Sequence, residues 1–152
     1  MPDTFAGARV KPADFPPARS VFDNTANNNI TSTTYVAGSP EVGVTFVAPT
    51  SGRVLLTVGF AAKDSASNRV HLAPQIFLGT SNAGTQFLAP DVVGRGVGSV
   101  GNTSNVNQHR SRTSLITGLT AGSTYYVRTM HKVSGGSTAD LEVRDIVVEP
   151  VS

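Results

Sequence analysis

Val42-Gly43-Val44-Thr45-Phe46-Val47-Ala48-Pro49-Thr50-Ser51-Gly52-Arg53-Val54-Leu55-Leu56-Thr57-Val58-Gly59-Phe60-Ala61-Ala62 is the stretch on which the fold turns. Val42, Val44 and Phe46 alternate with Gly43 and Thr45. The run breaks at Ala48-Pro49-Thr50-Ser51-Gly52, and Val54, Leu56, Val58 and Phe60 resume it at period two. Successive side chains of a strand point to opposite faces, so this alternation sets one face of each run on a core. Pro49 presets its own φ and Gly52 accepts a positive φ, so the chain can reverse between the runs. A hairpin results. Alone it is marginal in water, and its apolar face needs a second layer from the rest of the chain.

That second layer has to come from 152 residues, about one domain and enough to bury a core. The chain has no cysteine, hence no disulfide framework and no thiolate metal site; packing and sheet hydrogen bonds must hold it. Twelve basic residues face ten acidic ones, and only 14% of residues are charged, which argues against a dedicated nucleic-acid binder. Abundant Ser, Thr, Asn and Gly imply a neutral polar surface, as in particle-forming or extracellular-facing modules. Neither a signal peptide nor an apolar run of membrane-spanning length is present, so neither signal-directed export nor a membrane partner is expected.

Residues 1–29 read differently from the remainder. Pro2, Pro12, Pro16 and Pro17 exclude regular helix and central strand, while Phe5, Phe15 and Phe22 are apolar points on a polar thread. We read an extended attachment arm that docks through Phe5, Phe15, Pro16, Pro17 and Phe22; the alternative is a disordered leader. Asn24–Asn29 turns the chain into the body.

Residues 30–152 read as the β domain. A Thr-rich strand is expected over Ile30–Val36, closed by Ala37-Gly38-Ser39-Pro40, then the hairpin strands Val42–Ala48 and Val54–Ala62. Arg69–Leu78 contains Pro74, which predicts an edge strand or two short strands meeting at a bulge. Short strands are expected at Gln86–Leu88 and Asp91–Val93, and a long Gly/Asn/Ser-rich loop over Gly94–Asn107. Gln108–Thr117, Ser123–Val133 and Ala139–Val148 follow in hairpin order, linked by Gly118–Gly122 and Ser134–Ser137. In the last, Leu141 and Val143 share one parity and Ile146 and Val148 the other, so a bulge near Asp145 or a change of buried face is expected. Helical periodicity is absent. About eight short strands spaced by turns predict an all-β antiparallel β-sandwich or jelly roll.

No stretch declares a chemistry. His71, His109 and His131 show no ligand-spaced pair and read as surface or interface histidines, with no metal or cofactor. Gly96-Val97-Gly98-Ser99-Val100-Gly101 fits G-x-G-x-x-G, but no helix follows to meet a pyrophosphate. No nucleophile elbow supports a Ser-His-Asp set, and the sequons at Asn29 and Asn102 matter only in a secretory compartment. The chain reads as a non-enzyme. Arg110, Arg112, Arg128 and Arg144 could share one parity on three successive strands, with Glu142 beside Arg144. An exposed sheet face accounts for them; the sharper reading is a subunit interface or anionic-ligand face, since arginine grips carboxylates bidentately.

Val42 with Gly52-Arg53-Val54-Leu55-Leu56-Thr57-Val58, together with Gly118-Leu119-Thr120-Ala121-Gly122-Ser123-Thr124-Tyr125-Tyr126-Val127-Arg128, resembles the C1q/TNF-like jelly-roll modules of actinobacterial phage and prophage virion structural proteins. The likeness spans about Ile30–Val151, and Asp14-Phe15-Pro16-Pro17 is similar to arms that precede such modules. It implies a non-enzymatic capsid decoration protein, capsid fibre, minor capsid or tail-associated protein. Such a protein would be made in the bacterial host cytoplasm, located in the virion, often trimeric, and attached to major capsid or tail proteins. The alternative is a receptor- or carbohydrate-binding module of a tail tip or cell-surface protein, with a host surface glycan as partner. For that the chain lacks tryptophan platforms. Gly118–Arg128 is also similar to the E–F corner of fibronectin type III domains, where a tyrosine locks the turn, but such a module is only about 100 residues.

Overall fold

A computed structural model describes residues 14–100 and 104–152. Val54 to Asp64 forms the long strand that the alternation predicts, with Val54, Leu56, Val58 and Phe60 buried on one face. In chain order the strands are β1 (Arg19–Asp23), β2 (Asn27–Ile30), β3 (Val36–Ala37), β4 (Gly43–Val47), β5 (Val54–Asp64), β6 (Val70–Leu78), β7 (Thr85–Leu88), β8 (Val97–Gly98), β9 (Gln108–Ile116), β10 (Thr124–Val133) and β11 (Ala139–Pro150). Every pairing is antiparallel. One sheet runs β1-β11-β5-β9, with β2 also on β11; the other runs β3-β10-β6-β7, with β4 on β10 and β8 on β6. No helix occurs among the described residues, so none there is long and apolar enough to cross a membrane.

The two inner faces meet in one core. Val54, Leu56, Val58, Phe60, Ile146 and Val148 from the first sheet pack with Phe46, Leu72, Ile76, Tyr125 and Val127 from the second. Each large apolar side chain so buried contributes about 1.5–3 kcal/mol. The hairpin expected between residues 42 and 62 divides instead: β4 joins β10 and β5 joins β11, so its two runs lie in opposite sheets. The turn itself is as expected, with Gly52 at φ 65° and its N–H donating to the Pro49 carbonyl. The apolar face of each run is satisfied across the sandwich rather than by its neighbour.

Several local expectations need correction. The first strand is not Ile30–Val36: Ser32 Oγ hydrogen-bonds Thr34 and turns the chain, leaving strand only up to Ile30 and again at Val36–Ala37. Short polar side chains compete with the ladder in this way. β6 is neither an edge strand nor broken at Pro74, since it pairs with β10 across its whole length. On its other side β8 covers Leu72 and β7 begins at Ile76, so the position at Pro74, which has no N–H to offer, lies in the gap between them. Asp91–Val93 is a turn in which the Asp91 carboxylate accepts the Val93 and Gly94 N–H groups. The bulge of β11 lies between Leu141 and Val143, not at Asp145. Glu142 is the extra residue there, and this brings both Leu141 and Arg144 inward.

The sheet also begins earlier than residue 30. β1 and β2 come from the segment read as an arm, and β1 pairs along Arg144–Val148 of β11. The prolines end at Pro17, so nothing prevents the following residues from adding an edge strand, which needs a partner on one side only.

At the turn before β10, Tyr125 is buried and its hydroxyl accepts the Thr120 N–H at 2.9 Å, which is the tyrosine-locked corner anticipated from Gly118–Arg128. Tyr125→Phe keeps the ring stacked on Phe46 but orphans that N–H, and is expected to lower stability by about 0.5–1.5 kcal/mol in a chemical denaturation curve. An unchanged midpoint would mean that the hydroxyl is dispensable.

Candidate interaction surfaces

The four arginines do not form one face. β10 belongs to the second sheet, which separates Arg128 from the others, and the β11 bulge turns Arg144 into the core. Arg110 stands exposed on β9. Arg112, two residues on, closes the loop beside it: Nη1 donates to the carbonyls of Val92, Val93 and Gly96, and Nη2 to that of Gly94. One guanidinium thus satisfies four carbonyls of a loop that has few other partners.

Arg128 lies on the outer face of the second sheet. Its Nε donates to Gln75 at 2.8 Å, its Nη1 pairs with Glu41, and its guanidinium sits 5.3 Å over the Phe77 ring. Tyr126 donates to the same Glu41 at 2.6 Å. Burial alone would raise the Glu41 pKa, but the hydrogen bonds from Tyr126 and Arg128 and the Arg128 charge outweigh it and hold the carboxyl below its ordinary value. Burial, reinforced by the Glu41 hydrogen bond, pushes the Tyr126 phenol up to about 12. This surface cation is already neutralised by its own chain.

Arg144 is fully buried, and sequence reasoning missed its role. Its Nη2 donates to Asp23 Oδ1 at 2.9 Å and to the Thr25 carbonyl at 3.3 Å, while Nη1 donates to the Pro40 carbonyl at 2.8 Å. Gly38 lies so close that a Cβ there would stand 1.8 Å from Nη1. The end of β1, the loop after β3 and the centre of β11 therefore close on one cation. Facing it from β10 is His131, also buried, on the inner parity it shares with Val127 and Val133. Burial first, and the Arg144 charge second, push the His131 pKa down to about 4. His131 is thus not the surface or interface histidine expected, because a sandwich end filled with polar groups can host it. The sequence signal was the change of parity between Leu141 and Ile146, which marks a bulge without saying what it turns inward.

Of the arm residues, Phe15 and Phe22 are exposed, Pro16 is buried and Pro17 exposed, while Phe5 lies outside the described residues. Phe22 belongs to β1, where it stands 66% exposed. It ends a row of four directly opposed positions on the outer face of the first sheet: Phe22, Asp145, Gly59 and Ser111, one from each strand. The next row holds Val143, Ala61 and His109. Together with Phe60 and Arg110, the residues of these two rows other than buried Ala61 line an open groove of about 310 Å³. Gly59 is its floor, and a Cβ there would meet the Asp145 carboxylate at 2.1 Å. Burial raises the Asp145 pKa, its own backbone N–H countering only in part.

The order of strands and the closed core identify the architecture. It is a jelly-roll β-sandwich. The chain is similar to a structure of the infectious bursal disease virus Gx strain, with a TM-score of 0.50 and 11% identity over 88% of this chain and 32% of that one. A structure of the VP2 subviral particle of the same virus matches with a TM-score of 0.41 and 15% identity, over 91% of this chain and 38% of that one. Dimeric latent PorU from Porphyromonas gingivalis gives 0.41 and 10%, over 90% of this chain and 13% of that one. The chain spans about a third of the length of the viral chains, and at these identities the likeness is one of fold. No protein-family model matches it, and no curated protein shows significant similarity.

Proposed function

We propose that this chain is a non-enzymatic virion structural protein, a capsid decoration, minor capsid or tail-associated protein that displays its sandwich from the particle surface. The observation that carries the reading is the shared fold with the infectious bursal disease virus structure over 88% of the chain. The polar groups support it. Among the described residues several polar side chains are spent on tying strands and loops together: buried Arg144 on Asp23, half-buried Arg112 on loop carbonyls, and the buried Asp64 carboxylate on the Ala66 and Asn68 N–H groups and the Ser137 hydroxyl. None of these is arranged as a nucleophile with its base.

Attachment is assigned to the N-terminal segment that precedes β1, which carries Phe5, Phe15, Pro16 and Pro17. Prolines narrow the free ensemble, so less entropy is lost on docking, and each phenylalanine fully buried by a neighbouring virion protein contributes about 1.5–3 kcal/mol. The head associates with its own copies, as a trimer on the pattern of the resembled phage modules. Leu55 and Leu115, opposite one another on the outer face of the first sheet and 36% and 43% exposed, offer apolar area for that contact.

Deleting residues 1–18 retains β1 and Asp23, so the melting temperature should stay within a few degrees of the full chain while incorporation into particles is lost. Normal incorporation of this truncated protein would refute the docking role. Loss of folding would instead make the segment part of the core.

A further inference from the structure

The groove on the outer face of the first sheet has unspent chemistry. Elsewhere several charged side chains are engaged within the chain: Lys63 with Asp140 and Glu142, Arg128 with Glu41, Arg144 with Asp23. In the groove the Asp145 carboxylate lies flat across Gly59, half-buried, with no side-chain donor among the described residues, and Ser111 and His109 likewise meet no side-chain partner there. Phe22 forms one end with most of its ring in solvent, although β1 could equally have turned a polar residue outward at this position. The acceptor on β11 and the hydroxyl and imidazole on β9 therefore flank Gly59 of β5, roughly 10 Å apart at the backbone, and the Asp145 carboxylate reaches over Gly59 into that gap beside an exposed aromatic face.

We propose that this groove binds a neutral hexopyranose ring, free or at the end of a surface glycan. The Asp145 carboxylate, which holds only its own backbone N–H, keeps lone pairs on both oxygens to accept from a pair of vicinal hydroxyls, while Ser111 and His109 can each donate or accept. The C–H face of the ring covers apolar area on Phe22, the aromatic platform that a tryptophan-free sequence had seemed to lack. Asp145 and Arg110 carry opposite charges, which favours a neutral ligand over a phosphate or an amine. The volume of about 310 Å³ lies at the low end of ligand pockets, the size of one small ring rather than of a peptide segment. Leu55 and Leu115 stand four residues away along their strands from Gly59 and Ser111, roughly 13 Å, so subunit association there leaves the groove open.

The test is a titration of the ¹⁵N-labelled full chain with methyl glucoside, methyl galactoside and N-acetylglucosamine in turn. At least one should move the backbone amides of Gly59, His109, Ser111 and Val143 at millimolar concentration, and Asp145→Asn and Phe22→Ala should each weaken binding about tenfold or more. Phe22 is exposed and Asp145 half-buried, and a dispersed spectrum confirms that each variant is folded. If none of the sugars moves these amides, or the shifts survive both substitutions, the proposal falls. It falls too if diluting the protein without sugar moves the same amides, since a second copy would then occupy the groove. The binding of sugar by isolated protein is independent of incorporation into particles, so this inference and the virion reading fail separately. A glycoconjugate that binds where the free glycosides also bind would place the ring on a surface glycan; binding of the free glycosides alone would assign the groove to soluble sugar.

Discussion

Asp23→Ala is expected to lower the unfolding free energy by about 3–5 kcal/mol, because it leaves the Arg144 guanidinium in the core without its counter-charge. Arg144 has no exposed surface, so water cannot replace the lost carboxylate unless the sandwich opens at that end. The Thr25 and Pro40 carbonyls would still accept its N–H groups, but they bring no charge. In a chain of this size the loss corresponds to a drop of roughly 10 °C in melting temperature. The same substitution at exposed Asp91, which only caps its own turn, should cost far less. A melting temperature for Asp23→Ala within a degree or two of the parent would show that β1 is not locked through Arg144.

The second large effect is on pH dependence. His131 binds its proton at pH about 4 in the folded state against an ordinary 6.5, so between these values the unfolded chain holds more protons. Stability is then lost as pH falls from about 6.5 to about 4, and this group contributes no further loss below that; the difference amounts to about 3 kcal/mol. Glu41, whose carboxyl is held low, acts in the same direction on acidification, so the total slope is not due to His131 alone. Denaturation curves of the parent and of His131→Leu at pH 7 and pH 4.5 separate the two. The variant should lose markedly less stability between these conditions. Equal losses would mean that His131 is protonated in the folded state.

The class of fold was legible because period-two alternation is a direct imprint of a half-buried strand, and the runs at Val54–Ala62, Gln108–Thr117, Ser123–Val133 and Ala139–Val148 each became a strand within a few residues. What alternation does not carry is which strand lies beside which. The runs flanking Pro49–Gly52 make an apolar face whether they pair with each other or face one another across the core, and the structure takes the second course. Pro74 was misleading for a related reason: proline forbids one hydrogen bond at one position, and β6 meets that condition by splitting its second edge between β7 and β8. β1 was hidden by its polar composition, since an edge strand with one weakly buried face needs no alternation. The candidate surfaces were less legible still. The four arginines share a plausible parity on paper, yet a one-residue bulge at Glu142 and the assignment of β10 to the other sheet disperse them into a core lock, a loop clasp, a neutralised surface pair and an exposed side chain. Phe22 and Asp145 are 123 positions apart, and only the register of β1 on β11 places them opposite one another.

The central claim, that this sandwich is displayed on a virus particle, is tested most directly by cryo-electron microscopy of particles purified from cells that express the chain. The reconstruction should contain the two-sheet head at regular positions on the outer surface of capsid or tail, with the segment before β1 running into a neighbouring subunit. Well-resolved particles without that density, from a culture in which the protein is abundant, would contradict the account.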